Sequence, residues 1–266
     1  MNPSPDAKAT VDQNSPPEDS HGLPGNPNRA PIIDLEKITF AYPGRQPVLR
    51  DLDLHFHAGE KIGLVAPNGS GKTTLFHIIM GLLKPECGRV SLFGKERLQE
   101  KDFIEVRRRI GLLFQDADDQ LFSPTVIEDV AFGPLNLGQS RAQARATAEK
   151  TLADLGLEAF ADRITHQLSG GEKRLVSLAT VLAMAPEVLL LDEPTNGLDT
   201  DTRRRIVEIL KTLEISFILI SHNLDFLSQL TDQIYTLADG RILTDQPMAA
   251  HQHTHIHSHG TVPHEH

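Results

Sequence analysis

Residues 66–73 read Ala-Pro-Asn-Gly-Ser-Gly-Lys-Thr and follow the apolar run Ile62, Gly63, Leu64, Val65. Behind them Leu75, Ile78, Ile79 and Leu82 recur at i, i+3, i+4 and i+7, the spacing of one helix face. A glycine-rich turn between a buried strand and an amphipathic helix implies an α/β core with an anion site at the helix start. Glycines let backbone N–H groups turn inward around phosphate oxygens. Asn68, Gly69, Ser70, Gly71 and Thr74 belong to that cradle. Lys72 is placed to reach the β- and γ-phosphates, and the Thr73 hydroxyl to ligate Mg²⁺. The usual first glycine of such a loop is Ala66 here. Alanine costs little there at negative φ and more at positive φ.

A second strand end carries acid. Residues 188–193 read Val-Leu-Leu-Leu-Asp-Glu, four apolar residues without alternation and then two carboxylates. Uninterrupted apolar runs are how central parallel strands, covered on both faces, read. Ligands of open α/β sheets sit at the C-terminal strand edge, where Asp192 and Glu193 fall. Asp192 suits Mg²⁺ through water, and Glu193, pointing elsewhere, suits polarising an attacking water. His222 follows the apolar run 217–220 in the same way and is placed for a γ-phosphate contact.

Three regions divide the 266 residues. Residues 1–31 hold seven of the 17 prolines and read as a disordered leader. Residues 32–244 read as the folded body, and residues 245–266 as a polar tail with seven of the 13 histidines. The body opens with an antiparallel β portion over 32–56 and closes with two short strands over 233–243 around Asp239-Gly240. Between roughly 125 and 185 no strand pattern appears, and helical patterns fill the stretch: Val126, Val130 and Leu137; Ala142 to Leu155; then Leu175, Leu178, Ala179 and Leu182. A helical insertion over about 116–185 is expected, with the third helix reaching about Met184. The net charge of −10 speaks against a generally basic nucleic-acid binder, and Cys87 alone excludes an internal disulfide framework. No run has the ~18–20 apolar residues of a bilayer span.

Residues 168–173, Leu-Ser-Gly-Gly-Glu-Lys, contain a capping box of Ser169 and Glu172 that accounts for a helix start without further purpose. They also resemble the signature motif of ABC-type ATPases, and the body as a whole resembles one ABC nucleotide-binding domain. The resemblance implies a RecA-like P-loop core with an antiparallel β portion and a helical insertion. It makes Tyr42 the aromatic that stacks on adenine, Gln115 the Q-loop glutamine and Mg²⁺ ligand, Asp199 the D-loop aspartate and His222 the switch histidine. Glu172 stands where the family often has Gln. The implied mechanism uses ATP and Mg²⁺ between two such domains set head to tail. Ser169, Gly170, Gly171 and Asp199 then face the partner's nucleotide, and Lys72, Gln115, Glu193 and His222 act in hydrolysis. The partner domain is a second ABC ATPase subunit, the same or a related one.

The run from Asp116 through Gln120-Leu121-Phe122-Ser123-Pro124 to Gly133-Pro134 is similar to the ATPase of energy-coupling-factor importers, which take up cobalt, nickel and vitamins. That resemblance implies a transmembrane coupling subunit gripped here, a substrate-binding membrane subunit, and a peripheral place on the cytoplasmic face of the cell membrane. Asp116, Asp118 and Asp119 suit a basic coupling helix, or form a solvated acidic loop. In the tail His251, His253, His255, His257 and His259 alternate, so an extended chain sets them on one side, where Ni²⁺, Co²⁺ or Zn²⁺ could be held. This tilts the expected cargo toward nickel or cobalt. A vitamin or zinc importer and a non-transport ABC ATPase stand as alternatives.

Overall fold

The computed structural model describes residues 30–243. The chain opens with β1 (Ile33–Ala41), β2 (Pro47–Phe56) and β3 (Lys61–Val65), then α1 (Lys72–Ile79). β4 (Cys87–Leu92), β5 (Lys95–Glu96), α2 (Phe103–Arg109) and β6 (Ile110–Leu113) follow. Three helices come next: α3 (Val126–Asn136), α4 (Arg141–Asp154) and α5 (Gly170–Leu182). The chain then alternates β7 (Val188–Asp192), α6 (Thr200–Thr212), β8 (Ser216–Ile220) and α7 (Leu224–Ser228), and ends with β9 (Gln233–Ala238) and β10 (Arg241–Leu243).

Two sheets result. The first is antiparallel, in the order β2-β1-β4-β5. The second runs β10-β9-β3-β8-β7-β6, parallel except for the β9/β10 hairpin. The strands at its centre are buried on both faces, and their residues alternate between two cores. Val188, Leu190, Ile218 and Ile220 pack with the first sheet and α1. Leu189, Leu191, Phe217 and Leu219 pack with the helices of the other face. A period of two with apolar residues at both phases is the reason these strands read as unbroken apolar runs.

The opening antiparallel pair, the strands at 188 and 217, the helical stretch and the closing hairpin stand where the sequence puts them. Leu82 does not continue the α1 face. The helix ends at Ile79 because Gly81 turns left-handed (φ 69°), and a Cβ there would stand 2.2 Å from the Phe103 ring. Leu82 is left half exposed. α5 likewise stops at Leu182, short of Met184. Among the described residues no helix is long and apolar enough to cross a membrane.

Candidate nucleotide site

β3 ends in the glycine-rich loop, and α1 starts from Gly71 in the left-handed region at φ 96°. Gly69 is also left-handed, at φ 80°. Ala66 is buried and lies outside that region, so the alanine is accommodated without backbone strain.

The ends of two neighbouring strands, β7 and β8, converge on the loop. Thr73 Oγ1 donates to Asp192 Oδ2 at 2.7 Å. Lys72 Nζ lies 3.1 Å from Glu193 Oε1 and 3.4 Å from Asn68 Oδ1. His222 Nδ1 lies 3.1 Å from Glu193 Oε2. Lys72, Asp192 and Glu193 are all buried. Glu193 takes φ 48°, a conformation that costs a non-glycine residue on the order of 1–3 kcal/mol and is tolerated where the surroundings fix it. Here its N–H donates to the Ile220 carbonyl at 3.0 Å, tying the bend to β8.

Two buried polar atoms in this cluster have no hydrogen-bond partner: Asp192 Oδ1 and Ser70 Oγ. Such atoms are expensive in a protein interior unless a ligand satisfies them. A free carboxylate oxygen beside a Thr hydroxyl suits a hard cation, and a free hydroxyl in a glycine loop suits a phosphate oxygen. The residues present therefore fit Mg²⁺ and a nucleotide phosphate chain. Burial pushes the Asp192 carboxyl above its ordinary value, opposed by Thr73 and by Lys72. Burial also lowers the value of His77 on α1, opposed by Asp192.

The other expected residues fall around this centre. Tyr42 Oη lies 3.0 Å from Thr74 Oγ1, and the ring stands edge-on to Phe40, 5.0 Å between centroids. Its 36% exposure leaves aromatic surface open beside α1. Gln115 follows β6 with its side chain exposed. Ser169 and Glu172 close the capping box of α5, with the Ser169 N–H on Glu172 Oε2 at 2.8 Å. That contact and Arg163 hold the Glu172 carboxyl below its ordinary value. Gly170 is open to solvent, and Gly171 abuts Thr202 of α6. Asp199 caps α6 through Asp201 N, Thr202 N and the Thr202 hydroxyl. Among the described residues, the hydrogen bonds of Ser169 and Asp199 stay local and do not reach the phosphate loop. The histidines at 251–259 lie outside the described residues.

Two further residues matter at this site, and one of them, Gln120, lies inside the run from Asp116 already singled out. Arg174 is buried on α5, and Gln120 bridges Phe114 to α5. A cation between Gly171 and Leu175, on the apolar stripe of α5, was the available signal for the first. A second surface lies beyond them. A groove of about 430 Å³ runs between β6, α3 and α5, and Phe122, Phe132, Met184 and Asp119 help line it. The two rings stack edge-on at 4.7 Å and are 66% and 43% exposed. The acidic run divides there. Asp116 accepts from the Asp118 N–H, and Asp118 pairs with Lys173 at 2.5 Å. Asp119 remains exposed at the groove.

The sequence profile of the ABC transporter family matches residues 49–196. The chain belongs to the ABC transporter family. It is thus an ABC-type ATPase. A Nitratidesulfovibrio vulgaris protein, assigned as an ABC transporter ATP-binding protein by inference, is 53% identical over 237 residues, 89% of this chain and 86% of that protein. The cobalt import ATP-binding protein CbiO of Rhodobacter capsulatus is 45% identical over 224 residues, 83% of this chain and 80% of CbiO. The structure of cbiO1 from Clostridium perfringens, part of the ABC transporter complex cbiONQ, superposes with a TM-score of 0.71. It is 34% identical, over 81% of this chain and 88% of that one.

Proposed function

We propose that this ABC ATPase powers uptake of a transition-metal ion, nickel or cobalt, through a membrane complex of the energy-coupling-factor type. The observation that carries the catalytic half is the buried set Lys72, Asp192 and Glu193 at the mouth of the phosphate loop, with the exposed His222 against Glu193. Lys72 and the loop amides hold the phosphates. Thr73, Asp192 and Gln115 hold Mg²⁺, which when bound neutralises charge on the phosphate oxygens. Glu193 accepts the proton of the attacking water, and His222 approaches the γ-phosphate from the end of the neighbouring strand β8. Ser169, Gly170, Gly171 and Asp199 face the nucleotide of a second ABC subunit, so ATP binding closes the pair and hydrolysis reopens it. One subunit alone then lacks part of the cradle for its transition state.

The import half rests on the likeness to CbiO and cbiO1 and on the groove beside Phe122 and Phe132. An apolar floor with an exposed Asp119 at its edge fits an amphipathic, basic helix from a transmembrane coupling subunit. The chain then works peripherally, on the cytoplasmic face of the membrane. Histidines at 251–259 add transition-metal binding outside the catalytic body and favour nickel or cobalt over zinc or a vitamin as cargo.

Glu193→Gln tests the catalytic assignment. It should slow ATP hydrolysis by the assembled complex at least ~10²-fold, the usual scale for losing a general base, while ATP still binds. Steady-state ATPase close to wild type would remove Glu193 from that role. Radiolabelled Ni²⁺ and Co²⁺ uptake by cells expressing the chain with its membrane partners tests the cargo. Uptake of neither ion, with a vitamin accumulated instead, would overturn the metal reading.

A further inference from the structure

Arg174 lies one turn into α5 and is 4% exposed. Its Nη1 donates to the carbonyl of Phe114 at 2.5 Å, and its Nη2 donates to the carbonyl of Gln115. Its charge is balanced at a distance, by Asp116 and Asp192. A guanidinium is costly to bury, and it is retained where its rigid fork does something an apolar side chain cannot. The fork here spans two successive carbonyls at the point where β6 gives way to the loop carrying Gln115.

Two more ties join this loop to α5. Gln120 Nε2 donates to the Ser177 carbonyl and the Thr180 hydroxyl, each at 2.8 Å, while its Oε1 accepts from the Phe114 N–H at 3.3 Å. Lys173 pairs with Asp118 at 2.5 Å. The loop is thus fastened to α5 at its start, middle and end. On the opposite side the Phe114 ring stands 6.5 Å from His77 on α1, the helix that begins with Lys72 and Thr73. Arg174 is the buried member of this set, and it holds the backbone of Gln115 itself.

We propose that Arg174 is the positioning residue for Gln115. It fixes the backbone from which Gln115 offers its amide to Mg²⁺, and so it transmits any displacement of the α5 start, residues 169–171, to the metal site. The inference rests on the reading of Gln115 as a Mg²⁺ ligand. Arginine is required because a lysine gathers its three donors on one freely rotating nitrogen and loses the fixed spacing of the fork.

Calorimetric titration of the full-length chain with a non-hydrolysable ATP analogue, in Mg²⁺ and in EDTA, tests it. Gln115→Ala should reduce the gain in affinity that Mg²⁺ confers by about tenfold, a coupling of ~1.4 kcal/mol. Arg174→Lys should reduce that gain by about threefold to tenfold and leave affinity in EDTA within about twofold. The double variant should be no worse than Gln115→Ala, because both act through one side chain. A wild-type Mg²⁺ response in Arg174→Lys, or additive losses in the double variant, would overturn the positioning role while leaving Gln115 as a ligand. An unaltered Mg²⁺ response in Gln115→Ala would remove the ligand reading and the inference with it. Equal losses in Mg²⁺ and EDTA for Arg174→Lys would reduce Arg174 to a structural residue. Arg174→Met serves as the stronger variant where it folds, and Arg174→Lys carries the test where it does not.

Discussion

Asp192 is buried with one oxygen on Thr73 and the other unpaired, and burial raises its carboxyl above the ordinary value. The folded chain therefore holds this proton more tightly than the unfolded chain does. Ionised Asp192 lowers stability at neutral pH, and the penalty is relieved as pH falls from above the raised folded value toward the ordinary one. Asp192→Asn should leave the nucleotide-free chain as stable as wild type or more so at pH 7.5, with the difference shrinking at pH 5.5. The same variant should lose the thermal shift given by ATP with Mg²⁺. Thermal unfolding at both pH values checks this, and a markedly lower midpoint for the variant at pH 7.5 would contradict it. Glu193 is constrained differently, because it is the counter-ion of Lys72. Glu193→Gln leaves that buried ammonium without its carboxylate, and an unpaired buried charge is costly. A phosphate arriving at Lys72 then displaces no competitor, so the variant that hydrolyses ATP slowly should also bind it more tightly.

At the scale of elements, α5 is the piece on which both surfaces depend. It begins at Ser169, Gly170 and Gly171, lines the groove and holds the loop of Gln115. Its approach to β6 is set by Gly111, where a Cβ would stand 2.3 Å from Val181 Cγ1 and 3.0 Å from Leu189 Cδ2. Gly111→Ala should cost about 1–3 kcal/mol by overpacking, read by urea denaturation, and should push α5 outward. A loss under ~0.5 kcal/mol would show that α5 yields freely at this contact. Much of this architecture was legible in the sequence, because strands 188–192 and 216–220 are apolar at both phases and the capping residues of α5 stand in the open. β6 was missed: four residues, Ile110–Leu113, interrupted by that same glycine, leave too short a run to separate from the helix before it. β4 went unread because only its last three residues, Val90, Ser91 and Leu92, are buried, and β5 because it is two exposed charged residues. Asp192, Glu193 and His222 stood out by type and by their position after apolar runs. The pairing of Lys72 with Glu193, and the hold of Arg174 on two carbonyls, depend on tertiary approach that spacing does not encode.

For the molecule as a whole, the parallel sheet gathers Asp192, Glu193 and His222 at one edge, while the groove opens between sheet and helices. The histidines of the tail follow the last strand, β10, in sequence. Deleting residues 251–266 should abolish most Ni²⁺ or Co²⁺ binding by the isolated chain and leave ATP binding intact, since the catalytic cluster lies within the body. Neutral imidazole is the ligand form, so that binding should fade as pH drops below ~6.5. Titration of full-length and truncated chains at pH 7.5 and 5.5 decides the point, and equal metal binding by both would place the ligands elsewhere. Phe122 and Phe132 bear on a more practical matter. Chain synthesised in excess of whatever covers those rings carries a greasy, aromatic face into water. Its colloidal behaviour should follow that face: overproduced alone, it should cluster as salt rises and disperse again in mild detergent, and balanced expression with a mating subunit should cure the precipitation without any change in sequence.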